Sequence, residues 1–310
     1  MVRVRHRRQG AELRTHARVC RIIVGANGRA EGVLYFDAAH RLLRQPAKVV
    51  VVCANGIGTP RLLLNSASAA FPDGLANSSG LVGRGCMLHV WRRLRGTVTE
   101  CIDNYRRPIY NPIFSDHFRA PDPSRGFDGG FALLVRGLNG PLSTASRQNV
   151  PWGAEHHRVL RREFPHVVTV SALGEDLPEE HNRVTLDPGA RDAYGIPAAR
   201  VEYSLGTNSL LLLDFAAARA RDLLEAMGAR EIHDDGPTPG TSHFMGTARM
   251  GNNPRTSVVD RWNRSHDIQN LFIVDGSCFV SSGAAGPTAT IGALAHRCAY
   301  YLVRHRRTWG

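Results

Sequence analysis

Over residues 1–90, apolar and polar positions fall into short, strand-like runs separated by turns. Residues 12–24 (ELRTHARVCRIIV) and 32–36 (GVLYF) predict two strands, joined through Ala26-Asn27-Gly28, a hairpin signal. Residues 48–53 (KVVVVC) form a continuous β-branched run, the pattern of a strand buried on both faces of a parallel sheet. A glycine-containing turn follows at 54–58. A short helix over 60–65 then begins on Pro60, where a missing N–H does no harm. Strand, turn and helix make half of a nucleotide-binding unit.

Residues 91–235 have a different texture, richer in turns and proline. Strand-like segments occur at 166–173 (HVVTVSAL), 183–186 (RVTL) and 199–203 (ARVEY). An amphipathic helix over about 208–228 closes the region. Its apolar positions Leu212, Phe215, Ala216, Leu223 and Met227 recur at helical spacing, and Gly228 stops it. From 236 to 310 nucleotide-domain character returns. Residues 270–274 (NLFIV) predict a buried strand ended by Asp275-Gly276, and the loop 281–286 (SSGAAG) feeds a helix running from Pro287 to about Arg304. The expected class is α/β (α+β): a Rossmann-like domain in two pieces, 1–90 and 236–310, with a mixed or antiparallel-sheet domain, 91–235, inserted between them.

Composition narrows the field. The chain has 310 residues, 43% hydrophobic and 21% charged, ordinary values for a soluble globular protein. No apolar stretch approaches the roughly 20 residues that span a bilayer. The basic start MVRVRHRRQG lacks the apolar core of a signal peptide. A cytoplasmic location is the default expectation, and a periplasmic one holds if the true N-terminus lies further upstream. The net charge of +12 raises the question of a nucleic-acid partner. Lys48 is the only lysine, the arginines are spread along the chain, and their clusters at 3–8, 92–95 and 304–307 lack interleaved aromatics. A solvated basic face is the better reading. Six scattered cysteines and fourteen histidines form no metal-ligand spacing, so no metal is expected. Cys20 and Cys53, inside apolar runs, read as small buried hydrophobes.

Three segments carry the chemistry together, although each is weak alone: SHFMGTARMG (242–251), SVVD (257–260) and NLFIVDGSCFVSSGAAGPTATIGALAHR (270–297). In order and spacing they resemble the C-terminal signature of the glucose–methanol–choline (GMC) flavin oxidoreductases. VVVVCANGIGTPRLLLNS (49–66) is similar to the family's second signature, and GLVGRGCMLH (80–89) to the segment after it. In character the chain is most similar to flavoprotein subunits of the gluconate 2-dehydrogenase type.

The resemblance implies FAD as cofactor, an alcohol, polyol, sugar or sugar acid as substrate, and hydride transfer from a CH–OH carbon to the flavin. It places His243 as the catalytic base, a role that needs a pKa near neutrality. It implies that the helix after Pro287 offers its N-terminal dipole to the reduced flavin, with the Thr288 amide as donor because proline has none. Asp275 and Gly276 match positions against the ribityl and pyrophosphate region, and Val19 matches a backbone contact to adenine.

Two departures stand out. The family places His or Asn immediately before that proline, whereas here the position is Gly286, which offers no side-chain hydrogen bond. The GxGxxG fingerprint that opens the family's FAD domain is absent, and the chain begins about where the family's middle begins. The expectation is the C-terminal portion of such an enzyme, whose partners are the N-terminal half or an electron-accepting subunit. Alone it is expected to be marginally stable and to hold FAD weakly or not at all. The alternative is a non-catalytic remnant or assembly subunit.

Overall fold

β1 (Arg18–Val24), β2 (Ala30–Phe36) and β3 (Leu42–Pro46) form an antiparallel meander. The computed structural model describes residues 10–102, 113–135, 145, 152–240 and 242–309, so the cluster at 3–8 lies outside the described residues. The hairpin turns at Gly28, whose φ of 72° suits a residue without Cβ. β1 starts later than the apolar pattern suggests, because residues 10–16 are exposed and bury no strand face.

β4 (Val50–Val52) pairs in parallel with β12 (Leu271–Ile273), matching Val50 with Leu271 and Val52 with Ile273. Val50 and Val52 are buried, but Val51 is 44% exposed. Burial on both faces is therefore corrected: β4 is covered on one face only among the described residues. Cys53 is also exposed and Cys20 only half-buried, against the expectation for both.

α1 spans Asn55–Asn65, so the helix begins before Pro60 rather than on it. A proline inside a helix leaves the carbonyl four residues back without its donor. That carbonyl belongs to Gly56, and the buried Thr247 hydroxyl donates to it at 2.8 Å. The tertiary contact replaces the lost helical bond, which local sequence does not announce.

The middle of the chain builds a five-stranded antiparallel sheet in the order β11-β5-β8-β7-β6. Its strands are β5 (Val90–Thr97), β6 (Ile113–Ser115), β7 (Phe131–Val135), β8 (Val167–Gly174) and β11 (Arg230–Pro239). α2 (Ala154–Glu163) precedes β8, and β9 (Arg183–Arg191) pairs with β10 (Pro197–Glu202) in a separate hairpin. α3 (Thr207–Ala226) covers the sheet, burying Leu212, Leu213, Ala216, Ala220 and Leu224 among Val90, Leu94 and Val170. Each such leucine contributes on the order of 2 kcal/mol when fully buried. Met227, counted in the predicted stripe, is 38% exposed just past the helix end, and Gly228 (φ 71°) turns the chain away. β11 runs through residue 235 and leaves the sheet only at Pro239.

A second core lies under the meander and the parallel pair, gathering Ile22, Val52, Leu63, Val259, Leu271 and Ile273. Asn270 ties these layers together. Its amide donates to Ala30 O (2.7 Å) and Lys48 O (2.8 Å), and its oxygen accepts from Ala30 N (2.8 Å). α4 (Thr288–Arg304) packs on β12 through Cys298 and leaves most of its surface exposed. The architecture is α/β, with parallel and antiparallel sheets kept apart. Among the described residues no helix is long and apolar enough to cross a membrane.

Candidate active site

His243 lies just after β11, in a segment pinned on three sides. Met245 and Met87 exchange both backbone hydrogen bonds at 3.0 Å in an antiparallel bridge. The mirrored triplets Met87-Leu88-His89 and His243-Phe244-Met245 therefore set His89 opposite His243 on one face. Glycines from two other segments press on the same stretch. A Cβ on Gly56 would meet the Phe244 carbonyl carbon at 2.5 Å, and one on Gly276 would meet the Phe244 oxygen at 2.7 Å. Gly240 likewise passes too close to the His89 carbonyl to carry a side chain. His243 itself has φ of 65°, a left-handed conformation costing a non-glycine residue about 1 kcal/mol or more. Strain of this kind collects where the surroundings over-determine a residue, as they do here.

The His243 ring is half-buried and meets His89 edge-on, with centroids 4.8 Å apart and planes at 85°. Their Nδ1 atoms are 2.7 Å apart. His89 is fully buried, and its Nε2 lies 2.8 Å from the Gly283 carbonyl oxygen. Burial first, then the neighbouring His243, lowers the His89 pKa to about 4, so this imidazole is neutral at physiological pH. His89 was not among the residues singled out from the sequence. The signal that could have found it is the mirrored M-x-H and H-x-M pair, which becomes informative only once the two segments are known to pair.

Gly283 belongs to the loop that leads into α4, so His89 links His243 to that loop. Ser282 anchors this loop: its hydroxyl accepts from Asp176 N at 2.7 Å. The fully buried Asp176 carboxylate accepts from Leu88 N (3.1 Å), Tyr203 (2.7 Å) and Ser209 (2.9 Å). Desolvation raises its pKa, which these hydrogen bonds partly offset.

The remaining predicted residues fall in three places. Gly286 is exposed, its φ lies outside the left-handed region, and a Cβ there would meet nothing within 4 Å. Pro287 is buried at the cap of α4 with no side-chain capping bond, and Thr288, Ala289 and Thr290 are exposed. The first helical bond, Ile291 N to Pro287 O at 2.9 Å, leaves the three preceding N–H groups outside the helical ladder, an anion-favouring end. Asp275 and Gly276 end β12, but the Asp275 carboxylate is committed internally. It accepts from Ala54 N (2.9 Å), Asn55 N (3.2 Å), the Thr59 hydroxyl (2.6 Å) and Ser277 N (2.8 Å). Asn55 Oδ1 takes Ile57 N (2.9 Å) and Gly58 N (3.2 Å), so the start of α1 is capped by the chain itself. Val19 is 38% exposed and, with Ala54, Asn55 and Arg61, lines a cavity of about 430 Å³ beside that helix start. The structure thus separates the cavity at Val19 from the His243–His89 pair, which is tied to the loop before α4. Those features suit the two ends of an FAD molecule.

The comparisons with known proteins agree with this fold. Family models described as GMC oxidoreductase match residues 2–91 and 178–295, together more than half of the chain. The chain belongs to the GMC oxidoreductase family, whose members are FAD-binding flavoproteins. It is 45% identical to a 2-methyl-1,2-propanediol dehydrogenase of Mycolicibacterium austroafricanum over 95% of this chain and 55% of that protein. It is 31% identical to the fructose dehydrogenase large subunit of Gluconobacter japonicus over 94% and 53%. The gluconate 2-dehydrogenase flavoprotein of Pantoea cypripedii is 27% identical over 92% and 49%. The chain spans about half the length of these curated relatives. Among solved structures, formate oxidase shares the fold with a TM-score of 0.68 at 16% identity, over 95% of this chain and 61% of that one.

Proposed function

We propose that the chain forms the catalytic and part of the cofactor-holding portion of an FAD-dependent dehydrogenase that oxidises a CH–OH group of an alcohol, polyol, sugar or sugar acid. The observation that carries this reading is the imidazole of His243, held in a strained backbone 2.7 Å from a buried histidine, beside the loop that opens α4. FAD, when bound, supplies the hydride acceptor. Val19 and the cavity by α1 would hold its adenine end, and the Thr288 amide with the α4 dipole would face the ring where negative charge develops. Asp275 acts at one remove, by capping α1.

His243 takes the hydroxyl proton as the C–H bond electrons leave with the hydride, so the substrate loses two electrons and two hydrogens and becomes a carbonyl. An imidazole suits this transfer because one ring nitrogen can take the proton while the other donates a hydrogen bond. Gly286 leaves the alcohol without the second side chain that the family uses there. His89 does not stand in for it, since both its ring nitrogens already face protein atoms.

Relatives named as a diol dehydrogenase and a fructose dehydrogenase support small hydroxylated substrates. Those named as a large subunit and a flavoprotein support a partner subunit that receives electrons. The test is co-expression with the segment encoded immediately upstream, followed by flavin absorbance and dye-coupled oxidation of diols and sugars. Bound flavin with turnover supports the reading, and a preparation that binds no flavin overturns it. Gly286 also favours a second reading, a non-catalytic assembly subunit, for which flavin binds but no CH–OH compound reduces it.

A further inference from the structure

Both nitrogens of His89 are assigned by what they face. Nε2 lies 2.8 Å from the Gly283 carbonyl, which only accepts hydrogen bonds, so Nε2 carries the proton. A fully buried imidazole beside a second imidazole is neutral, so Nδ1 then bears the lone pair. The Nδ1 atom of His243, 2.7 Å away, must be the donor.

We infer that His89 is a positioning residue that fixes the tautomer of His243: it accepts the His243 Nδ1–H and so holds the basic lone pair of His243 on Nε2. This rests on the reading of His243 as the base, and it adds which atom receives the substrate proton. Neutral histidine side chains in water favour the opposite tautomer, with the proton on Nε2, so the base would be mostly in the wrong form without this contact. The same hydrogen bond fixes the ring plane, at 85° to a partner that cannot move. Immobility of His89 follows from its neighbours. Leu88 N is tied to the Asp176 carboxylate (3.1 Å), and Asp176 N donates to Ser282 (2.7 Å), next to the carbonyl that holds His89 Nε2. Asp176 therefore anchors both ends of the contact, its carboxylate holding the segment that presents His89 and its backbone N–H holding the loop that orients it.

The experiment is NMR of the 310-residue chain labelled with 15N in its histidine rings. Long-range proton–nitrogen correlations report which nitrogen of each ring is protonated, and scalar coupling across the N–H···N bond reports the pairing directly. Single His243→Gln and His89→Phe variants assign the signals. The expected spectrum shows His243 protonated on Nδ1 and bare on Nε2, with coupling to the His89 Nδ1. In His89→Phe the coupling is lost and His243 moves to the Nε2–H form, whereas His89→Asn, whose side-chain oxygen can accept the same proton, keeps Nδ1–H. A wild-type His243 protonated on Nε2 would overturn the inference, as would an unchanged tautomer in folded His89→Phe. Should that variant not fold, the wild-type coupling alone decides. The readout needs no turnover, so the expected tautomer together with a flavin-loaded protein that oxidises no alcohol would sink the catalytic reading and leave this one standing.

Discussion

The Thr59 hydroxyl donates to the Asp275 carboxylate at 2.6 Å, joining residues 216 positions apart. The bond fastens the end of β12 to the first turn of α1 and so locks two of the family's sequence signatures into one unit. Asp275→Ala would leave the Asn55 and Ser277 amides and this hydroxyl without their acceptor, and the Ala54 amide with only the Thr59 oxygen at 3.2 Å. Removing such a partner costs about 1–3 kcal/mol per group, with the sum reduced by water entry. A urea titration should show a lowered midpoint at unchanged slope, and an unchanged midpoint would show that the carboxylate is not a structural cap.

Thr247→Val removes only the hydroxyl that serves the carbonyl stranded by Pro60. The expected loss is about 1–2 kcal/mol. Combining it with Pro60→Ala, which restores a helical donor, should recover much of that loss. Additive behaviour of the two substitutions would contradict the compensation.

Acid should destabilise the fold through His89. Its folded-state pKa of about 4 lies below the ordinary 6.5, so between those values the unfolded chain binds the proton and the folded one does not. Stability should therefore fall as pH drops from about 6.5 to about 4, by about 3 kcal/mol if the full shift is realised. Asp176, whose pKa is raised by burial, works in the opposite sense, because the folded state binds its proton first. Comparing wild type with His89→Asn across that range isolates the histidine, and equal slopes in the two proteins would refute its assignment as buried and neutral.

Gly286→Asn should fold normally, since the added side chain meets open space and the backbone lies outside the left-handed region. If a missing hydrogen bond to the substrate hydroxyl limits the rate, this variant should raise kcat by about 10²-fold in the flavin-loaded protein. No gain would favour the non-catalytic alternative.

Legibility of the sequence followed the range of the interactions involved. The hairpin at Gly28, the β12 run and the amphipathic α3 were readable because their signals are local: turn chemistry, β-branching and helical period. The start of α1 was missed because a threonine nearly two hundred residues away makes an internal proline tolerable. Cys53 and Val51 were misjudged because burial of a β-branched run depends on what covers the second face. His243 was found by motif resemblance, whereas His89, the residue that sets its chemistry, emerged only from the Met87–Met245 pairing.

The central claim is that His243 is the base for flavin-dependent oxidation of a CH–OH group. Its most direct test is anaerobic mixing of the flavin-loaded protein with a panel of diols, sugars and sugar acids, following flavin absorbance. The account predicts bleaching of the oxidised flavin by at least one of them, slowed about 10²–10⁴-fold in His243→Ala with flavin content unchanged. Bleaching at the wild-type rate in His243→Ala, or none with any CH–OH compound, would contradict it.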